Sequence, residues 1–323
     1  DGSSDGSLLE DIRGVLSTFL FTRNLAEIQD ARRVTDEGLR LIDRNGESPF
    51  FLFLHYWDVH TPYHCPRRYR NYRGDDPHRK LRDRYAGAVR YVDEQLMRLR
   101  KGLAKRKELD NTVLIITSDH GESLTEHDIY FDHHGLYEVN THVPLLIRYP
   151  RAFPPGRRVR GFVQHVDLCP TLLNLFGAET PAALPQMDGE DLMGLVQGED
   201  DEIRSCVYSE ESYVQNKRAI RTPRYRYIEA PDGEGYCRYC HCVHVGPCEL
   251  YDLQEDPEET NNLVKKRPSV RRRLEARLHK IVRRLRKNRE ETVENKDVGQ
   301  RKELLSDEEQ EELQDRFRSL GYH

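Results

Sequence analysis

Apolar residues recur along the chain with three different periods. Through Leu8–Leu41 and just beyond, Leu16, Leu20, Ile28, Leu39 and Ile42 fall at helical spacings, interrupted by Gly14 and Gly38. After Pro49 comes a five-residue apolar run, Phe50-Phe51-Leu52-Phe53-Leu54, too short for a helix and apolar at every position. Such a run predicts a strand buried on both faces, as in a parallel sheet. Tyr85, Val89, Val92, Leu96, Leu99 and Leu103 then recur every three or four residues and predict a strongly amphipathic helix. A second apolar run, Val113-Leu114-Ile115-Ile116, follows it. Strand, helix, strand in that order is a βαβ unit, whose strands are expected to lie parallel. A third strand is expected at Val143–Tyr149, with Pro144 at its start.

Further along, Asp167–Phe176 reads as a short helix with Pro170 in its first turn. The Pro- and Gly-punctuated stretch 181–198 reads as a connection. Beyond it the period shortens: Val207–Ser209, Arg218–Arg221, Tyr225–Ile228 and Glu249–Leu253 are brief alternating pieces that predict a small antiparallel sheet. Two helices close the chain. One starts near Ser269 with Val270, Leu274, Leu278, Ile281, Val282 and Leu285 on one face. The other starts at Ser306, which has capping-box spacing to Glu309, and carries Leu313, Phe317 and Leu320. The fold class expected is α/β, a mixed and mainly parallel sheet sandwiched by helices, with a smaller C-terminal antiparallel sheet and helix. Residues 1–200 form the α/β portion in this reading and residues 201–323 a C-terminal subdomain with a Cys-rich hairpin.

Composition narrows the classes. The 323 residues carry 51 Lys+Arg against 56 Asp+Glu, a formal charge of −5, which disfavours a dedicated nucleic-acid binder. No apolar run approaches the ~18 residues of a membrane span. The opening Asp1-Gly2-Ser3-Ser4-Asp5-Gly6-Ser7 has no Met, no basic region and no apolar core. It contains no visible signal peptide and reads as cut rather than native. With the clustered cysteines, this leans towards a cytoplasmic, reducing setting.

The candidate chemistry lies where the apolar runs stop. Asp58 and His60 follow the first run, Asp119 and His120 the second, and Asp132, His133 and His134 precede the third strand. Ligand sites of open α/β sheets lie beyond the carboxyl ends of strands, so these clusters are expected to face one crevice. A strand-end Asp can equally well serve to accept loop N–H bonds. Three histidine-bearing segments, each beside a strand, shift the balance to a divalent-cation site with imidazoles around it. Such a crevice suits hydrolysis of an anionic ester: the cation neutralises charge, imidazoles hold the anion, and one protonates the leaving oxygen.

The segments Phe50–Leu54 with His60-Thr61-Pro62, Thr112–Glu122 and His133-His134-Gly135-Leu136-Tyr137-Glu138 with Val143-Pro144-Leu145 resemble the sulfatases of the alkaline-phosphatase superfamily. Weaker agreement comes from His165–Leu173, Glu249–Leu253 with Asp256–Glu259 and Asn262-Leu263, and Leu320-Gly321-Tyr322. The resemblance runs from Ser48 to His323. It implies an alkaline-phosphatase-like fold and a sulfuric ester hydrolase. Asp119 and His120 stand at metal-ligand positions, His60 at that of the histidine contacting the transferred sulfate, and His133 or His134 at that of a substrate-binding lysine. Many members have Asn where His120 stands; the imidazole admits manganese or zinc beside calcium, which the family pattern puts first.

Two family features are missing from the sequence. No C-x-P-x-R or S-x-P-x-R motif supplies the residue that becomes formylglycine, and no paired aspartates follow an early strand. The chain therefore reads as the C-terminal portion of a sulfatase, inactive alone, whose partner is the missing N-terminal half and whose substrate is a sulfate ester. A phosphodiesterase or phosphonate monoester hydrolase of the same superfamily is the first alternative. A non-catalytic polyanion-binding domain is the second, because Lys265–Glu290 holds thirteen Lys/Arg against two acids. That helix could instead dock by its apolar stripe and leave a solvated basic face, and the following acidic stretch, Glu303–Asp315, could neutralise it in cis. His165 and Asp167 would matter only in a two-metal phosphoesterase. Outside the family pattern, Cys237, Cys240, Cys242 and Cys248 could close a structural zinc site, form local disulfides or stay free.

Overall fold

The computed structural model describes residues 30–45, 48–72, 75–178, 187–212, 214–233 and 246–294. These residues belong to two compact units. The first comprises residues 1–158 and 209–266, the second residues 159–208 and 267–323.

The first unit opens with α1 (Ala31–Asn45). Asp30 accepts a hydrogen bond from Arg32 N (2.8 Å), and buried Asp58 accepts one from Ala31 N (3.2 Å), so two carboxylates satisfy the helix start. Ala31, Thr35, Gly38 and Ile42 form its buried stripe. Gly38 belongs to that stripe because a Cβ there would lie 2.9 Å from the Leu54 Cδ1; it does not interrupt the helix as its residue type alone suggests.

The expected amphipathic helix is α2 (Pro77–Lys105), with Pro77 in its first turn and Asp76 accepting from His78 N and Arg79 N. Its most buried positions are Ala88, Tyr91, Gln95, Leu99 and Leu103, whereas Val89 is exposed. The stripe is thus rotated from the purely apolar reading. Gln95 can be buried because its side-chain oxygen accepts from Arg98 (2.6 Å).

The strand expected at Phe50–Leu54 is a correction. It pairs with no strand among the described residues. Leu52 and Leu54 pack on the cluster of Ile42, Leu99, Leu103 and Leu109, while Phe51 and Phe53 are 88% and 77% exposed. A run apolar at every position shows that both faces can be buried, but it carries no information on whether a neighbour is at hand. Among the described residues the parallel βαβ pairing is absent for the same reason. Instead β1 (Leu114–Thr117) pairs antiparallel with β2 (Leu145–Arg148), Ile115 opposite Ile147. Between them lies the one-turn helix α3 (Glu138–Thr141).

The short alternating pieces do form a sheet. In chain order β3 (Val207–Glu211), β4 (Lys217–Arg221), β5 (Tyr225–Glu229) and β6 (Cys248–Asp252) are also neighbours in space, with β4–β5 and β5–β6 antiparallel. β5 is buried throughout. One face packs Ala219, Ile228 and Tyr251 against Ile129, Leu136 and Tyr137, residues of the histidine-bearing loop.

The second unit holds α4 (Leu168–Leu175), α5 (Met193–Gln197) and α6 (Pro268–Glu294). Asp167 organises it. Its buried carboxylate accepts from Gln164 N (2.6 Å) and Glu190 N (2.9 Å) and takes both Arg204 guanidinium nitrogens. That occupation is structural, and His165 beside it is exposed. On α6, Leu274, Leu278 and Val282 are buried, as the periodicity predicts. No helix among the described residues is long and apolar enough to cross a membrane. The closing helix at Ser306 lies outside the described residues, as do Cys237, Cys240 and Cys242 of the zinc expectation. Cys248, on β6, is half-buried with its Sγ 3.7 Å from the Tyr227 hydroxyl.

Candidate active site

Three chain segments bring imidazoles to one place. The first is the turn after the Phe50–Leu54 run, closed by His60 N donating to Trp57 O (2.9 Å) and Tyr63 N to His60 O (2.7 Å). The His60 ring stacks on Trp57 with centroids 4.3 Å apart. Its Nδ1 lies 2.8 Å from Thr61 O, so the proton sits on Nδ1 and leaves Nε2 as the acceptor.

The second segment is the carboxyl end of β1. There Ser118 Oγ donates to His120 O (2.6 Å) and His120 N to the Asp119 carboxylate (3.1 Å). Gly121 is required by close approach, because a Cβ would lie 1.9 Å from Val139 O, and its N–H donates to Asn140 O (2.8 Å). The His120 Nδ1 is held by Gly121 O (2.8 Å), and its Nε2 lies 3.6 Å from Asp119 Oδ2. The Asp–His pair thus presents one oxygen and one nitrogen side by side.

The third segment reaches them through a two-residue bridge. Ser123 and Asp132 exchange backbone hydrogen bonds of 2.9 and 3.2 Å, folding the loop back on itself. His133 then stacks on His120 (4.1 Å between centroids, 16° between planes) and lies 5.3 Å from His60, while His60 and His120 are 6.4 Å apart. His134 is the more buried of the pair and faces Asp132, 3.5 Å from Oδ2. Of the two candidates, His133 is therefore the one gathered with His60 and His120. Asp58 is not gathered; it is spent on the start of α1.

Residue types alone did not single out Glu122, two positions after His120. Its Oε1 accepts from the Tyr63 hydroxyl (2.5 Å) and the Thr61 hydroxyl (3.1 Å), tying the β1 end to the His60 turn. Donor atoms of His120, Glu122 and His133 all lie within 4.8 Å of one another. The only signal in the sequence was the acid in Asp119-His120-Gly121-Glu122.

Burial sets the charge states. It pushes the Glu122 carboxyl up to about 7 and drives His133 down to about 4, helped by the neighbouring His120. His60 is also lowered by burial, against the pull of the Thr61 carbonyl. For Asp132 burial acts upward, but the His134 and His133 rings overcome it and hold the carboxyl at about 2. The lowered His60 and His133 rings thus stand near one firmly ionised carboxylate, Asp132.

The loop is anchored from behind by the four-stranded sheet. Gly135 N donates to Glu211 (2.9 Å) and the Tyr137 hydroxyl to Glu249 (2.8 Å), whose other oxygen binds buried Lys217 at 2.7 Å. Glu138 pairs with Arg226 and, at 3.2 Å, with Arg221. Beside the loop an open cavity of about 660 Å³ is lined by His78, Arg79, Arg82 and Tyr130 among others.

Comparison with known proteins gives this geometry a family. The sulfatase family model matches residues 14–178, and the model for the C-terminal part of N-sulphoglucosamine sulphohydrolase matches residues 125–288. The chain belongs to the sulfatase family. As a sulfatase it is 32% identical over 192 residues to an N-acetylglucosamine-6-O-sulfatase of Bacteroides thetaiotaomicron, covering 57% of this chain and 32% of that protein. It is 31% identical over 186 residues to a choline-sulfatase of Rhizobium meliloti, covering 57% and 33%. A structure solved in complex with its substrate D-glucosamine-2-N,6-O-disulfate superposes with a TM-score of 0.56 at 27% identity, covering 68% of this chain and 44% of that one. The fold is the alkaline-phosphatase-like α/β class, with the C-terminal antiparallel sheet and helix that the periodicity predicts. This sulfatase chain spans roughly a third of the length of the two curated relatives.

Proposed function

We propose that this chain supplies the C-terminal part of a metal-dependent sulfuric ester hydrolase. Asp119, His120, His60 and His133 are its share of the active site, with His134 supporting Asp132. In this reading residues 1–200 belong to the catalytic α/β domain and residues 201–323 to the C-terminal subdomain. The observation that carries the proposal is the meeting of His60, His120 and His133 from three separate segments within 6.4 Å.

The donor set fits a divalent cation. Asp119 offers a hard oxygen next to the free Nε2 of His120, and Glu122 and His133 bring further donors within reach of that imidazole. Oxygen with nitrogen accommodates manganese or zinc as well as calcium. When bound, the ion neutralises the negative charge of the ester and of the developing transition state. The protonated form of His60, its Nδ1–H held by Thr61 O, would give its Nε2 proton to the leaving oxygen and revert to the neutral ring. His133, neutral near pH 7, hydrogen-bonds the anion without adding a full charge. The Trp57 stack and the Glu122–Tyr63–Thr61 bonds keep the His60 ring in place. The nucleophile, formylglycine in this family, is assigned to a segment outside this sequence.

Two measurements test the reading. Calorimetric titration of the chain with manganese, calcium and zinc is expected to reveal one binding event, lost in the Asp119→Asn/His120→Ala variant; identical binding by that variant overturns the metal assignment. The purified chain is expected not to hydrolyse an aryl sulfate, whereas a protein that also carries the upstream coding segment does so, about 100-fold more slowly with His60→Ala. Turnover by the chain alone removes the assignment of the nucleophile elsewhere. Preference of the longer protein for a phosphonate monoester over the sulfate moves the reaction to that ester class.

A further inference from the structure

Helix α6 of the second unit has a basic face that the proposed chemistry does not use. Residues 265–290 hold thirteen Lys/Arg against two acids, in a chain whose totals are 51 against 56. Basic charge is therefore concentrated in one element of an acidic protein. The three-dimensional arrangement shows that the helix docks and still leaves that charge outside. Leu274, Leu278 and Val282 are buried along one side, with Ile281 and Leu285 half-buried beside them. On the other side Arg272, Arg273, Lys280, Arg283, Arg284 and Lys287 are all exposed. At ~1.5 Å per residue they form a ridge about 22 Å long.

Among the described residues, two acids of the helix itself pair with its basic side chains. Glu275 pairs with Arg271 at 3.8 Å, outside the ridge, and Glu291 takes Lys287 at 3.4 Å in an exposed pair that screening makes weak. No Phe, Tyr or Trp occurs between Pro268 and Glu294, so the helix offers bases no large aromatic platform, His279 being its one ring. A straight row of cations with no Phe, Tyr or Trp among them matches a linear, flexible polyanion whose charges recur along a chain.

We infer that the exposed ridge of α6 is a docking surface for a linear sulfated polysaccharide. The choice of sulfate over other anions rests on the proposed sulfuric ester chemistry, while the ridge itself does not. Binding arises from several guanidinium and ammonium contacts at once, so it weakens steeply with salt through counterion release.

The test uses the full chain and fluorescently labelled heparin as the probe, titrated by anisotropy at several salt concentrations in EDTA. Tight binding near 50 mM salt is expected, with affinity falling as salt rises. The Lys280→Glu/Arg283→Glu/Lys287→Glu variant is expected to bind about 30-fold more weakly and to reduce the salt slope by about 3. All three positions are exposed, and an unchanged thermal melt shows that the variant is folded. Fully desulfated heparin is expected not to compete. Absence of heparin binding by the intact chain overturns the proposal, as does equal binding by the triple variant. Tighter binding of duplex DNA than of heparin at the same salt overturns it in favour of a nucleic-acid surface. Because the assay needs neither metal nor turnover, heparin binding by the chain together with no sulfate ester hydrolysis by the longer protein that carries the upstream segment overturns the enzymatic reading alone.

Discussion

Glu122 shows how one side chain couples two segments far apart in sequence. Its carboxylate oxygen accepts from Thr61 and Tyr63, both in the turn just after His60. Glu122→Ala leaves the Tyr63 hydroxyl without its acceptor, whereas Thr61 keeps Phe131 O at 2.8 Å, and is expected to cost about 1–2 kcal/mol. A chemical-denaturation midpoint equal to that of the parent would show that these bonds hold nothing. Asp58 gives the complementary case, a carboxylate used for structure and desolvated by it. Burial pushes it up to about 7, against the Ala31 N–H that favours its charge. Its folded-state value is raised above the ordinary value of 3.8, so the folded protein holds this proton more tightly than the unfolded chain. The resulting stabilisation is complete below about 4 and is lost as pH rises through about 7, with a slope of at most about 1.4 kcal/mol per pH unit. Asp58→Asn is expected to flatten the stability profile between those values. An unaltered profile in a pH series of thermal melts would assign the slope to other groups.

At the scale of elements, the loop bearing His133 depends on the four-stranded sheet behind it. Lys217 and Glu249 are both buried, and Glu249 also accepts from Tyr137 and Tyr251 (2.9 Å). Glu249→Ala strands an uncompensated buried ammonium and is expected to destabilise by about 3–5 kcal/mol. Replacing both partners, as Lys217→Met/Glu249→Leu, is expected to cost less, because no charge is left unpaired although the Tyr137 and Tyr251 hydroxyls lose their acceptor. Equal melting temperatures for the single and double variants would contradict this. The two glycines near the apolar runs separate in the same way. Gly38→Ala meets only the movable end of Leu54, whereas Gly121→Ala meets the Val139 backbone carbonyl, and the second is expected to be much the more damaging by thermal melt. These effects follow from what faces each position, which composition does not reveal.

For the whole molecule, the metal and hydrolysis measurements join the separate parts, since only a correctly assembled loop set presents the donors of Asp119, His120, Glu122 and His133 together. The sequence by itself was sufficient for local matters. Helix α2, the short helix after Asp167, the four brief strands and α6 were legible because side-chain period and capping residues act over a few neighbours. The histidine segments stood out because their motif resembles a family pattern that the comparisons bear out. Tertiary structure alone decided which residues meet. It left Phe51 and Phe53 exposed, gave β1 an antiparallel partner, buried Gln95 in place of Val89, and brought His133 rather than His134 onto His120. It also drew in Glu122 and spent Asp58 on a helix start. The reason is that a residue's type limits what it can bond to, whereas the bond it makes depends on contacts between segments tens of residues apart, which no local pattern encodes.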